Sequence, residues 1–178
     1  SFGDRILFWL FWIVALRLLG PEGNGKYAFA TNLLVYFAAA TNFGLSTLVT
    51  RDVARNPGQL EKLFGNALAI RAVLVTIAIP LMVGVALTYW VSGALSETTL
   101  AVSGLLAISL IPNAINQSYA AIYSAYEQMG FRGATALGTA LITIAGGVLV
   151  LLLGWGVTGL AVVANIAGAV TFYALARP

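Results

Sequence analysis

Long uncharged blocks alternate with short polar clusters along the whole chain. Six blocks run approximately over 6–19, 27–49, 63–90, 100–126, 133–153 and 157–176. A helix needs roughly 20 apolar residues to cross about 30 Å of hydrocarbon, and all but the short first block reach that length. None alternates with period two, and each is too long for a strand, so the pattern predicts membrane-spanning helices rather than a barrel. Gly154-Trp155-Gly156 alone separates the fifth block from the sixth, which predicts a tight antiparallel hairpin. Gly23-Asn24-Gly25, following Pro21, reads as a short turn between the first and second blocks. The fold class expected is all-α: a polytopic bundle of six transmembrane helices forming a single lobe over residues 1–178.

Composition narrows this further. Charged residues make up 8% and apolar residues 60% of the 178, against roughly 25% charged in soluble domains, so much of the surface must face lipid. The absence of cysteine and histidine removes disulfides, thiolate sites and the commonest general base and metal ligand. The net charge of +3 is scattered among inter-block loops rather than gathered on one face, which argues against nucleic acid.

Placing the N-terminus in the cytoplasm puts Arg5, Arg51, Arg55, Lys62, Arg132 and Arg177 inside, and only Lys26 and Arg17 towards the outside. Retention of Lys and Arg on the cytoplasmic face is the topological signal, so this orientation in the cytoplasmic membrane is expected, with both ends inside. Trp90 and Trp155 then fall at outer interfaces and Tyr126 at an inner one. The chain begins at Ser1 and stops directly after an apolar block, which reads as a piece of a longer membrane protein.

Polar residues inside the blocks are the candidate site. On one helix the 100° projection brings Ser109, Asn113, Asn116, Gln117, Ser124 and Glu127 to one narrow face of the fourth block, with Pro112 bending it. Carboxamides in hydrocarbon need partners or water, so this face either lines a hydrophilic cavity or ties helices together. Asn32, Tyr36, Ser46 and Thr50 form a weaker stripe on the second block, with Asn42 to one side; Asn165 reads as a structural tie, and Pro80 as a bend. Arg71 is the charge lying well inside a block, which suits either an anion-binding group or an anchor reaching the inner surface. Small residues at spacing four (Ala40/Gly44, Ala134/Gly138, Ala136/Ala140, Ala164/Gly168) permit close helix approach. No paired carboxylates, nucleophile–base set or phosphate-cradling loop occurs, so neither catalysis nor a cofactor is expected.

One set of segments points to a family. Leu18-Leu19-Gly20-Pro21-Glu22-Gly23-x-Gly25-x-Tyr27-Ala28, then Asn42-Phe43-Gly44-Leu45-Ser46-Thr47, then Arg51-Asp52-Val53-Ala54-Arg55 together resemble the N-terminal region of polysaccharide-biosynthesis membrane proteins. These are oligosaccharide flippases of the multidrug/oligosaccharidyl-lipid/polysaccharide exporter superfamily. The stretch from Gly154 to Ala161 is similar to that family's fifth-to-sixth connection. The resemblance implies one lobe of a two-lobe transporter of 12–14 helices, the other lobe lying C-terminal. The substrate implied is a glycan linked to polyprenyl diphosphate, turned between leaflets by alternating access, with basic cavity groups attracting the diphosphate. A multidrug or cation antiporter of the same superfamily and a structural membrane subunit are the alternatives. A glycan polymerase or ligase would need a large outer loop, which the spacing of the blocks does not leave.

Overall fold

The computed structural model describes residues 2–55, 57–125 and 129–176, and among these no strand occurs. The order is α1 (Phe2–Asn42), α2 (Leu45–Arg55), a 3-10 turn (Pro57–Gln59), α3 (Leu60–Val91), α4 (Glu97–Ile108), α5 (Leu110–Ala125), α6 (Met129–Leu152) and α7 (Gly156–Ala176). Among the described residues five stretches are long and apolar enough to cross a membrane: Ala15–Val53, Leu60–Val91, Glu97–Ser124, Gly133–Leu152 and Gly156–Leu175. The fold is thus the all-α polytopic one expected, with five such stretches rather than six.

The junction between the first two blocks falls at Gly20. The first two blocks are not separated by a loop; helical geometry fails at Gly20 alone (φ 67, ψ 178) and resumes at Pro21. Pro21 drives the preceding residue out of the helical region, and only glycine accepts the conformation found there. Pro21 itself lacks the N–H that the first residue of a helix leaves unused. Gly23-Asn24-Gly25 is accordingly helical rather than a turn, and a Glu22–Lys26 ion pair of 2.6 Å bridges one turn of that helix. Residues 21–42 reach about 33 Å at 1.5 Å per residue, enough to cross the hydrocarbon core.

A second break falls inside the second block, at Phe43 (φ 31) and Gly44 (φ 76). Asn42 Oδ1 accepts the Ser46 N–H (3.3 Å) and the Ser46 hydroxyl (2.8 Å) across it, supporting the new helix start. α2 then lays Val49 and Val53 against Ala67 and Ala121, while Arg51 and Arg55 stay exposed. The fourth block also divides. It breaks at Ser109, whose hydroxyl bonds back to Leu106 O (2.6 Å), so Pro112 sits in the first turn of α5 instead of bending a continuous helix. Pro80, by contrast, lies within the single element α3.

The helices give the bundle two ends. At one, Leu151 and Leu160, on either side of the Gly154–Gly156 turn, pack with Ala15, Leu19 and Tyr27, and Phe29 meets Tyr89 edge to face at 5.6 Å. At the other lie α2, the 3-10 turn, and the ends of α5 and α7, tied by Thr50 Oγ1 to Ala121 O (3.1 Å) and Tyr123 Oη to Leu175 O (3.1 Å). The core between them is dominated by small and branched residues, among them Ala30, Ala78, Met82, Val102, Leu106, Ala107, Ala114 and Ala161. Asn165 donates to Leu105 O and to Ala161 O (both 2.9 Å), tying α7 to α4 as a structural tie should.

Candidate functional site

α6 and α7 are in close contact beside their hairpin. A Cβ at Gly159 would lie 1.8 Å from Val150 Cγ1, and one at Gly146 3.0 Å from Val163 Cγ1. Further along α6, a Cβ at Gly138 would meet nothing within 4 Å. There the contact passes instead through the Thr139 and Thr171 hydroxyls, 2.5 Å apart. Room remains beside α5, next to Thr135, Ala136, Thr171 and Leu175, and the polar face of α5 borders it.

Two adjoining cavities result. The smaller, about 270 Å³, is lined by Asn113, Asn116, Gln117, Ala120, Thr135, Ala136, Thr171 and Leu175. The larger, about 620 Å³, is lined by Asn42, Ser46, Thr47, Thr50, Arg51, Gln117, Ala120, Ala121 and Ser124. Gln117 and Ala120 line both, so the two adjoin along one turn of α5. The local reason is helical spacing: residues 113, 116, 117, 120 and 124 recur every three or four positions and so share a face.

Hydrogen bonds hold this face. Gln117 Nε2 donates to Asn113 Oδ1 (2.5 Å), Asn116 Nδ2 to Gly168 O (3.1 Å) and Ser124 Oγ to Ala120 O (2.7 Å). α7 approaches closely enough for the second of these because Gly168 has no side chain; a Cβ there would sit 3.3 Å from Pro112 Cγ. Asn116 Oδ1 is buried without any partner.

Arg71 lies on another side of α5. It is 1% exposed, and its guanidinium donates to Asn42 Oδ1 (2.8 Å), Ser46 Oγ (2.6 Å), Ser118 Oγ (2.5 Å) and Ala114 O (3.2 Å). All four acceptors are neutral, and Nε has no partner. Both hydroxyls pass their own protons onward, Ser46 to Asn42 Oδ1 and Ser118 to Ala114 O, so each is free to accept from the cation. The charge is therefore buried behind Asn42 and Ser46, which line the larger cavity, and does not itself line it.

Of the residues picked out from the sequence, Asn113, Asn116 and Gln117 border the smaller cavity, and Asn42, Ser46, Thr50, Gln117 and Ser124 the larger. Asn32 and Tyr36 sit on an exposed face of α1 and line neither. Ser109 turns back onto its own helix, and Glu127 and Tyr126 lie outside the described residues. Thr135 and Thr171 escaped notice; the available signal was the run Thr135, Thr139, Thr143 at spacing four, a hydroxyl ladder on α6. Arg51, 2.9 Å from Asp52, is the charged residue lining the larger cavity. Among the described residues no group of three His, Cys, Asp or Glu could hold a metal.

Such an arrangement can hold a polar molecule by carboxamides and hydroxyls, with positive charge at one side. No curated protein and no solved structure matches the chain. A family model described as polysaccharide biosynthesis protein matches residues 2–177, which takes in both cavities and every helix that builds them. The chain is therefore a multi-pass membrane protein of the polysaccharide biosynthesis family.

Proposed function

We propose that this chain forms part of a flippase that carries a lipid-linked oligosaccharide, built on a polyprenyl diphosphate, across the cytoplasmic membrane, without chemical conversion of the cargo. The observation that carries the reading is the pair of adjoining cavities lined by carboxamides and hydroxyls, joined at Gln117, in a bundle that exposes many large apolar side chains. Carboxamides in hydrocarbon are costly, and a hydrated or cargo-filled cavity is the setting that relieves them. The α2 end, with Arg51, Arg55 and Lys62, is the cytoplasmic one. Arg51 at the wall and the Arg71 charge behind it make the larger cavity attractive to an anion, since charges act over longer distances where water is sparse. Among the described residues no carboxylate lines either cavity, which gives no support to an antiporter coupled through a membrane acid.

The test is genetic. Deleting the gene should leave the lipid-linked precursor accumulating in the cytoplasmic leaflet, and a chromosomal Gln117→Leu copy should restore export only in part. Normal surface polysaccharide without precursor build-up in the deletion strain would overturn the proposal.

A further inference from the structure

The geometry points to a division of the cargo between the two cavities: the smaller one, between α5, α6 and α7, is a subsite for an uncharged, hydroxyl-bearing group such as one sugar ring, with Asn116 Oδ1 as its acceptor. The inference rests on the transport reading above and deepens it. The orientation of the Asn116 amide follows from its neighbour. Gly168 offers a carbonyl oxygen at 3.1 Å, so the NH2 must face it; the reverse orientation would set two acceptors against each other. That leaves Oδ1 as the buried atom without a donor. Buried acceptors are nearly always satisfied, and an orphan on a residue that lines a cavity calls for an O–H or N–H from what fills that cavity.

The lining specifies the rest. Among the described residues, no Lys, Arg, Asp or Glu borders the smaller cavity, so a charged group entering it would meet no counter-charge from them. Carboxamides and hydroxyls alternate with Ala120, Ala136 and Leu175, a mixture suited to a ring with polar edges and apolar faces. Its volume of about 270 Å³ falls at the small end of ligand cavities, which run from about 300 to 1,000 Å³, and so fits a single ring rather than a chain of them. Arg51 lines only the larger cavity. A cargo lying across Gln117 thus has its neutral portion towards α6 and α7 and its anionic portion towards α2.

The experiment compares two probes on the full-length protein in lipid nanodiscs, by native mass spectrometry: polyprenyl diphosphate bearing its oligosaccharide, and polyprenyl diphosphate alone. Asn116→Leu keeps the volume and removes the acceptor; Ala136→Leu fills the cavity from the opposite wall and leaves Asn116 intact. Each variant should weaken the glycan-bearing probe by about tenfold, the loss of one well-placed hydrogen bond, and the bare diphosphate by less than about twofold. Should Asn116→Leu fail to fold, Ala136→Leu alone decides. Equal losses on both probes, or no loss on either, would overturn the subsite while leaving transport standing. A wild-type protein that binds neither probe would instead bring down the transport reading and this inference with it.

Discussion

Arg71 carries its charge into a place where every hydrogen-bond partner is neutral, and the balance of that choice can be worked out. An Arg at mid-helix depth costs about 2.5–3.5 kcal/mol on insertion scales. Against this stand four hydrogen bonds from a charged donor, each worth about 1.5–3 kcal/mol before the cost of ordering. The bonds win, and they reach two separate elements besides α3: the α1–α2 junction and α5. Arg71→Met should therefore lower stability by on the order of 2 kcal/mol. Arg71→Lys should recover less than half of that, because one ammonium cannot span both sides as a planar fork does. Denaturation in detergent micelles reads both effects, and a Met variant as stable as wild type would contradict the clamp. The sequence makes Arg71 conspicuous as a charge inside an apolar block. It cannot reveal the fate of the charge, because Asn42, Ser46 and Ser118 lie 29, 25 and 47 positions away.

At the scale of elements, the same three or four residues can spell a turn or a helix start, and the Gly20–Gly25 stretch shows what decides. Glycines near a proline suggest a turn wherever they fall, and periodicity says nothing across so short a gap. Only Gly20 has a backbone that other residues avoid, at φ 67 and ψ 178; Gly23 and Gly25 are ordinary helical positions. Gly20→Ala should cost about 1–3 kcal/mol, because that conformation is nearly confined to glycine. Gly25→Ala, with nothing within 4 Å of its Cβ, should stabilise the helix by about 0.5–1 kcal/mol. Thermal unfolding of the two variants side by side separates the readings: if residues 23–25 were a turn, Gly25→Ala would bring no gain. The longer blocks were legible because their apolar length leaves few options. The breaks at Phe43–Gly44 and Ser109 were not, since a hydropathy pattern runs straight through a kink whose two sides are equally apolar.

At the scale of the whole molecule, sidedness and the site are linked through the end of the bundle at which the cavities lie. The α5 stripe was legible from 100° spacing, but the cavities also need Thr135 and Thr171 from helices that only tertiary packing brings near. Those cavities lie towards the α2 end, where Arg51, Arg55, Glu61 and Lys62 gather, while the opposite end closes tightly at Gly159 and Val150. If the α2 end faces the cytoplasm, as proposed above from the distribution of Lys and Arg, then the bundle offers its polar groove to the side where a lipid-linked precursor would be built. The natural absence of cysteine makes this directly measurable. Ser92→Cys, exposed just after α3, should react with a membrane-impermeant maleimide added to intact cells. Gly58→Cys, exposed in the 3-10 turn, should react only after the membrane is opened. Labelling in the opposite pattern would turn the groove outward, and the lobe would then be disposed to release cargo rather than to receive it. Labelling of both sites in intact cells would deny that α3 crosses the membrane at all.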